Sequence, residues 1–207
     1  MKTILSTLVV SAVLALLAGI GFAYSGIYNV GATDPHWPIS NWLMKTTMHA
    51  SVERRAAEVA VPDFTEEMKR AGANDFEAMC VSCHGSPAKG PGAMGQGLNP
   101  KAPELSHSAE HLSAGELYWI TKNGIKMTGM PAWGASHSDA DLWPVVAFMT
   151  ELPELDKAAY AAYLEAASGA GHHGSHNKAP VSQSAPEHAD EESSNEQPEH
   201  DHSSHEH

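Results

Sequence analysis

Cysteine is scarce in this chain, basic residues are outnumbered, and residues 168–207 carry almost no large apolar side chain. Each shortage excludes something. Only Cys80 and Cys83 occur, three apart, so a domain held by several disulfides is ruled out. Lys and Arg number 12 against 25 Asp and Glu, a formal net charge of −13. Nucleic-acid binding needs a concentrated basic face that displaces counterions, and no such face is readable. From Gly169 to His207 there are eight acidic residues against the single Lys178, so more than half of the net charge lies there. A stretch so polar cannot bury enough apolar surface to offset the entropy of folding. The foldable part is therefore the middle of the chain, with residues 62–167 globular in composition.

What is present divides the chain further. Ile4 to Tyr24 is an apolar run broken only by small or weakly polar residues. As a helix it spans about 30 Å, the thickness of bilayer hydrocarbon. Lys2 precedes the run and the next basic residue is Lys45. The positive-inside bias then leaves the N-terminus in the cytoplasm and exports the rest, predicting a single-pass inner-membrane protein with its folded domain in the periplasm. The alternative is a cleavable signal peptide, with Gly21-Phe22-Ala23 as a loose small-x-small site; the length of the run favours a retained anchor.

Beyond the anchor, Asp34-Pro35-His36-Trp37-Pro38 reads as a turn-forming break. Behind Ser40, Met44, Met48, Val52, Ala56 and Val59 recur at helical spacing opposite Glu53, Arg54, Arg55 and Glu58. The expected amphipathic helix could lie on the membrane, pack on the folded domain or hold a partner subunit. His36 and His49 each stand alone and are not nominated as ligands.

The chemistry lies in Cys80-Val81-Ser82-Cys83-His84, a C-x-x-C-H sequence. Two thiols three residues apart at the end of a short helix can each add to one vinyl group of the same porphyrin, and the adjacent imidazole then lies under the iron. A zinc site would want four N or S ligands, and no second cysteine pair exists. A thioredoxin-like redox pair would want a βαβ setting, which this chain lacks. The reading is one covalent haem c.

Asn74 is the expected N-cap of the helix entering Cys80, with Asp75 and Glu77 in its first turn. Ser113-x-x-Glu116 and Ser138-x-x-Asp141 open two later helices. Gly124 is placed to end the first of these, and Pro144 is expected to kink the second. Between Gly85 and Leu105 the chain is Gly- and Pro-rich and reads as a loop around one haem edge. A carbonyl there, near Pro91, is expected to accept the free N–H of His84. Lys89, Lys101, Lys122 and Lys126 make this region less acidic than the rest, either as a rim that steers an acidic redox partner or as ordinary solvated charge.

These motifs, with Leu117 to Ile125, Gly129-Met130-Pro131-Ala132-Trp133-Gly134, Asp141-Leu142-Trp143 and Phe148, occur in an order that resembles the monohaem, His/Met-ligated cytochrome c family over roughly residues 67–155. The resemblance implies an all-α fold: a small cytochrome c domain around one covalent haem, whose last helix crosses the first so that Phe76 meets the region of Trp143. It implies Cys80 and Cys83 as attachment points, with His84 and Met130 as iron ligands. Met127 is the competing thioether, but Pro131 pushes Met130 into an extended conformation suited to a loop against the haem face. The expected domains are an anchor (1–24), a juxtamembrane segment (25–66), the cytochrome domain (67–167) and a disordered His/Asp/Glu-rich tail (168–207).

The expected function is single-electron transfer between a membrane dehydrogenase and an oxidase, by a carrier and not an enzyme. The alternatives are a haem subunit of a larger redox enzyme, a haem that catalyses or binds a gas at an open iron position, and a metal-handling or sensing protein. The last rests on the tail, where eight of the fourteen histidines lie between His172 and His207. Imidazoles with neighbouring carboxylates suit Zn(II), Cu(II) or Ni(II), so loose capture of these ions is expected there.

Overall fold

The computed structural model describes residues 2–173; the remainder of the expected tail, His176 to His207 included, lies outside the described residues. Within them the chain is all-α, with no β-strand. Helix α1 (Lys2–Tyr24) buries none of its residues, touches Trp37 through the Phe22 ring at 5.9 Å, and is long and apolar enough to cross a membrane. Helix α2 (Pro38–Ala56) begins two residues before Ser40, because Pro38 supplies a preset φ at the first helical position. Its C-terminal half buries Val52 and Ala56 against α7 (Ala114–Asn123), and the Arg55 guanidinium lies 6.0 Å from the centre of the Trp119 ring. Of the expected settings for this helix, packing on the folded domain holds for that half. Trp42, Leu43 and Met44 are exposed, so the stripe is covered only from Met48 onward.

Helix α3 (Glu66–Met79) starts well before the expected cap. Thr65 accepts the Met68 N–H on its hydroxyl at 3.2 Å, and Glu66 and Glu67 occupy the first turn, where negative charge meets the positive end of the helix dipole. Asn74 is therefore not a cap. It sits within the helix, and its amide donates to the carbonyls of Ala167 and Ala170 at 2.5 and 2.8 Å.

The core forms where α3 crosses α8 (Asp139–Met149). Phe76 packs edge-on to Phe148 at 5.3 Å and against Tyr160 at 6.5 Å. Trp143, whose region the resemblance sets opposite Phe76, lies on the same crossing helix but faces another side. It stacks flat on Tyr118 at 3.9 Å with Phe64 beside it, because five residues along a helix turn Trp143 and Phe148 to different sides. Helix α8 runs on through Pro144, and the flanking Leu142, Val145, Val146 and Phe148 are fully buried. Helix α9 (Lys157–Ala166), capped by Asp156, closes the core with the buried ring of Tyr160.

Candidate functional site

Cys80 ends α3 and Cys83 lies in the single turn of α4 (Val81–His84). The Cys80 N–H donates to the Phe76 carbonyl, and the His84 N–H to that of Cys80, each at 2.9 Å, so the two helices are nearly one. Both thiols are free. Burial pushes the Cys80 thiol up to about 12, with the neighbouring Cys83 and Asp75 adding to the shift, which keeps it a protonated thiol. Directly after His84 the chain must reverse. Gly85 does this with φ +73°, and a side chain there would press on the carbonyl oxygen of Lys89, which accepts the Ser86 N–H at 2.7 Å.

His84 is the best-defined member of the site. Its Nδ1–H donates to the carbonyl oxygen of Pro103 at 2.8 Å, which leaves Nε2 as the nitrogen free to bind a metal. Burial holds its pKa below the usual histidine range, against the opposing pull of the Pro103 carbonyl, so the ring is a neutral ligand. The expected acceptor near Pro91 is otherwise engaged: the Pro91 carbonyl takes the side-chain amide of Gln96 at 3.0 Å. An open cleft of about 310 Å³ lies beside His84, lined by Phe76, Pro91, Glu104, Leu105 and Leu152 among others.

Met130 stands on a separate loop beyond α7. The Ile125 N–H donates to the Met130 carbonyl at 3.2 Å, and the Met130 N–H donates to the Thr128 hydroxyl at 3.1 Å, closing a small ring of backbone. Gly124, at φ +64°, lies against the Pro131–Ala132 peptide and the Met130 carbonyl oxygen, with which any side chain would collide. Met130 is half-buried. Met127, the competing thioether, is 85% exposed and has φ +60°, a conformation seldom adopted outside glycine.

The donor set fits haem c. Two free thiols three residues apart stand next to an imidazole whose Nδ1 is already held and whose Nε2 is free. Residues 67–149 match the family described as cytochrome C oxidase, cbb3-type, subunit III. This segment is a monohaem c-type cytochrome domain. No curated protein matches the chain. When bound, the haem of such a domain supplies an iron that cycles between Fe(II) and Fe(III), and its function is electron transfer.

Around the cytochrome domain the lysine rim is partly spent. Lys89 pairs with Glu77 at 2.7 Å and Lys122 with Asp139 at 2.6 Å, while Lys101 and Lys126 stay exposed. Sequence reasoning missed Pro103, Glu77 and Tyr160. The Tyr160 hydroxyl donates to Glu77 at 2.7 Å, so one carboxylate ties both α9 and the loop after His84 to the helix that ends at Cys80. No local pattern marks these pairings, since Tyr160 and Lys89 lie 83 and 12 residues from Glu77 and Pro103 lies 19 from His84.

Proposed function

We propose that this chain is a membrane-tethered carrier of single electrons, in which Cys80 and Cys83 would hold the haem and His84 and Met130 would bind its iron. The observation that carries the ligand assignment is the contrast between the two methionines: Met130 is half-buried in a backbone-locked loop, whereas Met127 projects into solvent. A thioether opposite an imidazole favours Fe(II) and raises the reduction potential, and it leaves no iron position for a substrate. The Pro103 carbonyl fixes the ring and burial keeps it neutral, so Nε2 is presented as an uncharged donor.

In this reading α1 is the retained anchor and the cytochrome domain faces the periplasm from the inner membrane, which is the orientation that Lys2 favours. Residues 1–24, 25–66, 67–167 and 168–207 then serve as anchor, spacer, cytochrome domain and tail. Tethering raises the effective concentration of the domain near membrane partners, a dehydrogenase as donor and an oxidase as acceptor. The family description favours a second reading, a haem subunit within a larger oxidase, in which the exposed Trp42, Leu43 and Met44 of α2 would be covered by a neighbour. Capture of zinc, copper or nickel by the histidine-rich C-terminal segment is a reading in addition to either.

Two measurements test the proposal together. Anaerobic reductive titration of the detergent-solubilised chain should consume a single electron per chain, and protease added to spheroplasts should degrade the cytochrome domain without lysis. Uptake of several electrons, or protection until lysis, would overturn it.

A further inference from the structure

The segment after α9 is fastened to the cytochrome domain by an arrangement that electron transfer does not use. The Asn74 amide holds the carbonyls of Ala167 and Ala170. Gly171, at φ +86°, brings the backbone against α3 so closely that a side chain there would run into the Ala71 carbonyl. Asp75, only 2% exposed, then accepts the backbone N–H of His172 at 3.2 Å and that of His173 at 2.7 Å, one on each carboxylate oxygen. A buried carboxylate is costly unless its lone pairs are used, and here they hold two consecutive histidines in place.

What those histidines meet is His137, just before α8. One ring nitrogen from each of His137, His172 and His173 can be chosen so that all three lie within 4.8 Å of one another. His137 and His173 are half-buried and His172 is exposed, so the group opens to solvent. We propose that these three residues form a binding site for a borderline divalent cation of the zinc or copper class.

Three features support it. The Nε2 atoms of His137 and His173 are 3.4 Å apart, long for a hydrogen bond. Two nitrogens on a tetrahedral metal at 2.0–2.1 Å are separated by about 3.3–3.4 Å, so the spacing is that of two ligands. The outer nitrogen of His137, Nδ1, lies 2.9 Å from the Ser136 hydroxyl, whose own proton points at the Trp133 carbonyl at 3.4 Å. That hydroxyl accepts the Nδ1–H and leaves Nε2 bare for a metal, the supporting arrangement that ligating histidines commonly have. The Asp141 carboxylate lies near enough to act on both His137 and His172, adding negative charge beside the site. A bound cation would staple the segment after α9 to the loop that carries Met130.

The test is calorimetric titration of zinc(II) alone into the full, haem-loaded chain. The forms compared are wild type, His137→Ala, the double variant His172→Ala/His173→Ala, and His107→Ala. The last disrupts the exposed His107, Glu110, His111 group on α6 (Leu105–His111). Wild type should show one tight equivalent, weakened at least about tenfold in His137→Ala and in the double variant and unchanged in His107→Ala. Zinc should raise the thermal midpoint of wild type and not of His137→Ala. His137 lies outside the histidine-rich C-terminal segment, so its effect separates this site from loose capture there. A wild type without a tight equivalent, an unchanged His137→Ala, a loss confined to the double variant, or a loss in His107→Ala would each overturn the proposal. The haem absorption spectrum of each variant checks that the domain is intact.

Discussion

Gly72 of α3 lies against the backbone carbonyl of Pro144 in α8, with no room for even one side-chain carbon between the two helices. The crossing sets how closely α3 approaches α8, and α3 ends at Cys80. Gly72→Ala should therefore destabilise the domain, although alanine is the better helix former by about 1 kcal/mol. Overpacking at a backbone-to-backbone contact costs about 1–3 kcal/mol and exceeds that gain. Urea unfolding followed by far-ultraviolet circular dichroism decides the sign; a stabilised variant would contradict the crossing geometry.

Tyr160→Phe keeps the ring in the core and removes only the hydrogen bond to Glu77. A hydrogen bond to a charged group contributes about 1.5–3 kcal/mol when buried. The Glu77 side chain is 34% exposed, so a loss of about 1 kcal/mol is expected after solvent screening. Because Glu77 also holds Lys89, Lys89→Ala measured alone and with Tyr160→Phe should give a non-additive pair. Additive losses would mean that the carboxylate does not couple α9 to the loop after His84.

Ser113→Ala removes a complete cap. The Ser113 backbone N–H and hydroxyl both donate to the Glu116 carboxylate, at 2.8 and 2.7 Å, and the Glu116 N–H donates back to the hydroxyl at 3.3 Å. A loss of about 0.5–2 kcal/mol is expected, from a lower urea midpoint at unchanged slope. An equal midpoint would show that α7 is held by packing against α2 and α8 alone.

The caps at Ser113 and Ser138 were legible in the sequence because both partners of each lie within one helical turn. The attachment motif was legible for the same reason, since Cys80, Cys83 and His84 share one short stretch of helix. Long-range choices were not. Asn74 resembles a cap until Thr65 and two glutamates offer an earlier one, after which its amide is free to hold the end of α9. The sequence points to a carbonyl near Pro91 as the acceptor for His84, but the fold commits the Pro91 carbonyl to Gln96 and brings that of Pro103 to the ring. His137 stands alone in sequence, thirty-five residues before His172, and it is the Asn74 amide and the Asp75 carboxylate, both on α3, that bring the C-terminal histidines to it.

The central claim of the proposal is that His84 and Met130 would both bind the haem iron and leave it no open position, and the visible absorption spectrum tests it most directly. Oxidised and reduced spectra should be taken with and without carbon monoxide for wild type, Met130→Ala and Met127→Ala. Wild type and Met127→Ala should show a low-spin c-type spectrum with the weak sulfur-to-iron band and should ignore carbon monoxide, while Met130→Ala should lose the band and bind the gas. Carbon monoxide binding by wild type, or a band that survives in Met130→Ala, would contradict the account.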